Sequence, residues 1–186
     1  MPRYAAFLRA VNVGGRVARS DALKKAFESA GATDAETFLA SGNVVFSSKV
    51  SRGLEAKLAK ALAASLSFEV PVFVRTLEEV VALSLHRPFT EPAVAAFPTY
   101  LVGFLSKELD AAGVERLSLL STKEDLFHVR GRDFWWLSKH HQARPAITGR
   151  QLEKALGQPT TLRNVNTVRR MAERFGATSA PRSSET

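Results

Sequence analysis

Arg163, Asn164, Asn166 and Thr167 fall close together in TTLRNVNTVRRM, residues 160–171. A run with helical spacing follows, in which Val168, Met171, Ala172 and Phe175 share one face. The first backbone N–H groups of a helix have no internal partner, so a polar side chain at the entrance caps them. One asparagine suffices for that. The second asparagine, the Arg163 guanidinium, and Arg169 and Arg170 further along are surplus donors beside the positive end of the helix dipole. Such a set could hold a phosphate or a carboxylate.

A second segment has related chemistry. NVGGR, residues 12–16, places Asn12 and Arg16 around Gly14 and Gly15. Glycines let a backbone approach a ligand and expose its amides. The segment is neither a P-loop nor a GxGxxG fingerprint, because no GK[ST] follows and the glycine spacing is wrong. Arg9, in an apolar run just before it, needs a carboxylate or carbonyl partner if buried. The expected ligand-binding set is therefore Arg9, Asn12, Gly14, Gly15, Arg16, Arg163, Asn164, Asn166 and Thr167, converging on an anionic small molecule where two lobes meet.

HVRGRDFWWLSKHH, residues 128–141, interleaves Arg130, Arg132, Lys139, His140 and His141 with Trp135 and Trp136. Basic residues among aromatics can stack on bases. This gives an alternative, nucleic-acid binding through Arg130, Arg132, Trp136, Lys139, Arg169 and Arg170. Adjacent His140 and His141 cannot share a strand face, so they make a poor metal pair. No HExxH, GxSxG or cysteine nucleophile is present. A third reading, an enzyme using Asn, Arg and His on a small polar substrate, therefore has no named catalytic residue. No metal or cofactor is expected.

Composition bounds these readings. The 186 residues carry a formal charge of +8, and residues 128–174 hold ten Lys+Arg against three Asp+Glu. A basic surface favours anionic partners. There is no cysteine, which excludes disulfides and thiolate chemistry. The opening MPRYAAFLRAV lacks a signal-peptide layout, and no apolar run approaches the ~18 residues of a membrane span. A cytoplasmic protein without membrane contact is expected.

The elements that must position these residues follow from pattern. RYAAFLRAV, residues 3–11, is apolar on both alternating faces, as in a strand covered on both sides. Ser20 opens a helical run closed by Gly31. Two extended runs flank Ser41-Gly42, a hairpin signal. Leu54, Leu58, Leu62 and Leu66 recur every fourth residue, and residues 70–76 read as a strand. That order, βαββαβ, is the ferredoxin-like unit. Pro88, Pro92 and Pro98 then mark a linker at 87–97. The order repeats as a strand at TYLVGFLS, a helix interrupted by Gly113, and two strands around Gly131-Arg132. A helix with a Thr148/Gln151 capping box and a short strand at TTLR complete it. The predicted architecture is α+β, with two tandem ferredoxin-like lobes and extra helices. The lobes span residues 1–86 and 98–176, the latter with the C-terminal helix, and residues 177–186 form a disordered tail.

RYAAFLRAVNVGGR, LASGNVVF, the RPF of Arg87–Phe89, and TLRNVNTVRRM resemble, in this order, the bacterial proteins grouped as the domain of unknown function 1697 family. The resemblance runs from about Arg3 to about Phe175. It implies a compact α/β protein of ferredoxin-like lobes and carries no assigned activity. Two positions depart from the family's pattern. Val17 stands where it usually has Asn after GGR, and Val165 stands where it usually has Trp between the two asparagines.

Overall fold

A computed structural model describes residues 1–12, 14, 17–39 and 42–176. The expected roles of Gly15 and Arg16, the Ser41 half of the hairpin signal, and the 177–186 tail lie outside the described residues. The chain divides into two compact units, Met1–Ser84 together with the stretch from Arg169, and Leu85–Val168. The sequence reading kept the whole terminal helix with the second lobe, whereas its residues from Arg169 group with the first unit.

In the first unit, strands β1 (Arg3–Leu8), β2 (Thr33–Thr37), β3 (Asn43–Ser47) and β4 (Val72–Thr76) form one sheet in the order β2-β3-β1-β4. The neighbours pair antiparallel. Helices α1 (Ser20–Ser29) and α2 (Leu54–Leu66) cover one face, and α3 (Leu77–Leu85) follows β4 directly. Strand alternation sends Tyr4, Ala6 and Leu8 into a core with Leu23, Phe27, Leu58 and Leu62. Ala5, Phe7, Val45 and Phe73, on the other face, are equally buried. This explains why β1 shows no polar face in its sequence.

β1 stops at Leu8, short of the expected Val11, because Ala10 turns the chain at φ 56°. The N-cap position of helix α1 is Arg19, which makes no side-chain cap, and Ser20 is the first helical residue, its hydroxyl bonded to the Thr37 hydroxyl at 2.9 Å. α3 opens on a reciprocal pair that the sequence reading missed. The Glu79 amide donates to Thr76 Oγ1 at 3.1 Å, and the Glu79 carboxylate accepts from the Thr76 amide at 2.7 Å.

In the second unit, the segment expected as a linker holds helix α4 (Glu91–Ala96). Strands β5 (Thr99–Phe104), β6 (Asp125–Arg130), β7 (Asp133–Ser138) and β8 (Thr161–Asn164) form an antiparallel sheet in the order β6-β7-β5-β8. Helices α5 (Ala111–Ser118) and α6 (Gly149–Leu156) enclose a core of Leu101, Leu117, Phe134, Trp136, Leu152 and Leu156. The two-residue turn Gly131-Arg132 joins β6 to β7 as its sequence predicts, with Gly131 at φ 58°. α6 carries the predicted capping box and ends on Gly157 at φ 67°. α5 starts later than its sequence suggests, where Asp110 accepts the Gly113 amide at 2.7 Å.

Helix α7 (Val165–Phe175) buries Val168, Met171, Ala172 and Phe175, the predicted stripe. In the first unit, its Phe175 ring meets Phe38 edge-on at 5.6 Å, and Arg174 pairs with Glu36. Two arginines are buried in the sheets: Arg75 in β4, 1% exposed, and Arg163 in β8, 6% exposed.

Candidate functional site

The second unit gathers a basic, aromatic cluster whose members lie far apart in sequence. The β6–β7 register sets His128 directly opposite Trp135. Alternation along β6 puts Arg130 on the same face as His128. His86, just beyond α3, brings its ring to 4.4 Å from the Trp135 ring and 5.3 Å from the His128 ring. Trp135 is fully buried at 1% exposure and gives the imidazoles a rigid floor.

Protonation at His86 follows from its contacts. Arg130 Nη1 lies 3.3 Å from His86 Nδ1. A guanidinium only donates, so Nδ1 must accept, and the ring is neutral with its proton on Nε2. Nε2 is buried and meets no hydrogen-bond partner in the structure. The titration of His86 is lowered from its ordinary value, first by burial and then by Arg130, His128 and Arg87. The arginines acting on this ring add to the effect of burial. Arg130 is exposed, and its one polar contact among the described residues is this imidazole. No carboxylate of the described residues lies within ion-pair distance of it in the structure, although Asp133 is its cross-strand neighbour. Among the described residues no third His, Asp or Glu joins the two imidazoles in a metal-ligand group.

The sequence could have shown half of this. A two-residue turn at Gly131-Arg132 fixes the register that opposes His128 to Trp135. Nothing local brings His86 to them.

The predicted site residues fall in both units. In the first, Arg9 lies just past β1, half-buried, and its amide donates to the Pro71 carbonyl at 3.0 Å. Asn12 is exposed, and its Oδ1 accepts the Ala18 amide at 3.1 Å, closing the loop on itself. Gly14 has φ 63°, and a Cβ there would meet nothing within 4 Å, so backbone conformation rather than space calls for glycine. Gly42 lies against Leu8 and Val11. The Leu8 amide donates to the Gly42 carbonyl at 2.8 Å, and a Cβ on Gly42 would fall 2.4 Å from Val11 Cγ2.

In the second unit, the helix entrance is largely committed to local structure. Asn164 Oδ1 accepts the Asn166 amide at 2.9 Å, a helix cap. The Arg163 guanidinium, expected to face an anion, is buried instead. Its Nη1 donates to Thr161 Oγ1 and to the Leu162 carbonyl, each at 2.8 Å, and burial pushes its titration down to about 10. Asn166 is exposed and Thr167 half-buried. Val165, where the resembled family usually has Trp, is 3% exposed and belongs to the interior.

The expected nucleic-acid residues differ in burial and divide between the two units. Trp136 is corrected from a surface stacking group to a core residue at 3% exposure. Its ring stacks on Phe127 at 5.4 Å, and its N–H donates to the buried Asp125 carboxylate at 2.8 Å. Arg132 and Lys139 flank opposite ends of β7, on the order of 20 Å apart at ~3.4 Å per residue. Arg169 and Arg170 belong to the first unit. No helix among the described residues is long and apolar enough to cross a membrane.

Comparison with known proteins adds fold and family. The structure of the conserved bacterial protein SP0830 from Streptococcus pneumoniae is similar, with a TM-score of 0.74 at 22% identity, covering 95% of this chain and 99% of that one. At that identity the likeness is one of fold. No curated protein matches the chain. The family model described as a protein of unknown function, DUF1697, matches residues 1–135, and the chain belongs to that family.

Proposed function

We propose that each unit is a ferredoxin-like βαββαβ plait and that the second binds a small anion, a phosphate or carboxylate, at His128 and Arg130. The fold reading rests on strand order. In both sheets the unit's own second, third, first and fourth strands lie side by side in that sequence, all antiparallel.

The binding reading rests on one observation: the Arg130 guanidinium donates to a neutral imidazole where an ion pair would be expected. A guanidinium docked this way keeps a fork of N–H groups for a planar or tetrahedral oxyanion. Half-buried His128 stands beside it as a second donor. Trp135 beneath holds both rings in place and limits the entropy lost on binding.

Isothermal titration with inorganic phosphate and with a nucleoside monophosphate tests the assignment. Arg130→Ala weakens binding by about tenfold or more, the size of a lost charge-assisted hydrogen bond. Arg130→Lys recovers only part of it, because an ammonium lacks the fork. Equal affinity in wild type and Arg130→Ala rejects the site.

A further inference from the structure

The second unit holds a pocket on the α6 side of its sheet, away from the His128–Arg130 face, and independent of the proposal above. It has a cavity volume of about 90 Å3. That falls below the roughly 300–1,000 Å3 of drug-sized sites, so a ligand there is no larger than a single ring. Its floor is set by register: Thr99 pairs with Ser138 and Leu101 with Trp136, so all four side chains share one face. Ile147, in the loop before α6, and Leu152, in α6, supply the opposite wall.

The lining states what it can hold. Trp136 has spent its N–H on Asp125 and offers the pocket only ring surface. Thr99 has spent its hydroxyl on the His140 carbonyl at 2.7 Å. Ser138 has not. Its Oγ accepts the His140 amide at 3.1 Å, but its O–H meets no acceptor among the described residues, although the residue is 2% exposed. A buried hydroxyl donor on an apolar wall asks for an acceptor. The one titratable group in the lining, His140, already sits 3.2 Å from the Glu124 carboxylate. No uncompensated charge therefore faces the cavity.

We propose that this pocket is a small-molecule site for a neutral, planar aromatic ligand with one hydrogen-bond acceptor, its ring against Trp136 and its acceptor on the Ser138 hydroxyl. Flat rings suit the place because Trp136 already stacks on Phe127 with their planes 22° apart, and a ligand extends that stack.

The test is protein-observed NMR on the full chain with three probes: benzamide, its saturated analogue cyclohexanecarboxamide, and toluene. Benzamide shifts the Trp136 indole N–H signal saturably and binds more tightly than either other probe. Ser138→Ala weakens benzamide about three- to tenfold, as expected for one hydrogen bond, and leaves toluene unchanged. Ile147→Trp fills the cavity and abolishes both. Gly149→Leu serves as a fold-safe blocker, since Gly149 lines the pocket and a Cβ there meets no atom within 4 Å. No saturable shift with benzamide, benzamide affinity retained in Gly149→Leu, or an equal response of benzamide and toluene to Ser138→Ala overturns the proposal.

Discussion

Arg75 and Arg163 occupy the same place, each in its own sheet. Each is the penultimate residue of its unit's fourth strand, pairs with the first strand, and is buried. Each Nη1 donates at 2.8 Å to the carbonyl of the residue before it. Each is followed by a capping side chain, Thr76 or Asn164, and then at once by a helix. FVRTLEEVV and TLRNVNTVR thus express one pattern of buried arginine, cap, apolar residue, two variable residues and another apolar residue. Identity is too low to reveal the repeat as letters, but its chemistry aligns.

A buried guanidinium stabilises only while its partners remain. Glu55 lies 3.9 Å from Arg75 and accepts the Val74 amide at 2.7 Å. Arg75→Ala, which opens a cavity and removes the donor to the Val74 carbonyl and the cation beside Glu55, is expected to cost about 3–5 kcal/mol. Arg75→Met, which keeps the volume, is expected to cost clearly less. Urea denaturation of both variants checks the ranking.

His86 gives the fold a pH dependence. Its folded titration lies below the unfolded value of 6.5, so the unfolded chain takes up the proton first. Above 6.5 both states are neutral and this contribution is complete. As pH falls from there through the folded value, stability is lost. His86→Gln, which cannot titrate, should flatten that part of the curve. Calorimetric Tm values for wild type and variant at pH 7.5 and 5.5 measure it.

An anion at Arg130 offsets the cations that hold His86 neutral. Binding and protonation are then linked, and phosphate affinity should rise as pH falls below neutrality. The rise should be smaller in His86→Gln. Titrations in two buffers of different ionisation enthalpy would count the protons taken up, and zero uptake would separate His86 from the anion.

Gly103 makes room for a ring. A Cβ there would fall 2.1 Å from Phe134 Cζ, and Phe134 is fully buried. Gly103→Ala should cost about 1–3 kcal/mol through overpacking. Adding Phe134→Leu should recover part of it, as a double-mutant cycle by chemical denaturation would show.

Asn164→Ala removes the side chain that accepts the Asn166 amide and should cost about 1 kcal/mol. Asn164→Asp keeps the acceptor and gains from the helix dipole, so it should be neutral or slightly stabilising. Thermal melts of the two variants distinguish a cap from a ligand-binding asparagine that needs its amide.

Local chemistry was readable from the chain alone. The Thr148/Gln151 box, the Gly131-Arg132 turn and the stripes of α2 and α7 are each decided within a few residues, and the structure places them as expected. β1 ends early because Ala10 takes a left-handed conformation that no alanine advertises. Ser20 is not the cap of α1 because the helix begins one residue earlier than its sequence suggests, and its hydroxyl meets Thr37 of β2. No pattern in the chain joins His86 to His128, because their meeting depends on how the chain between α3 and β6 returns. The helix entrance at Asn164 looked over-supplied because sequence does not reveal that Arg163 turns inward.

Gly42 and Val11 have a mechanical consequence. With only a hydrogen atom at Gly42 beneath the valine methyl, Val11 and Gly42 cannot shift independently. A bulkier residue at either point would be felt in both. Substitutions there should be tolerated only in matched pairs, so that the two positions change together or not at all.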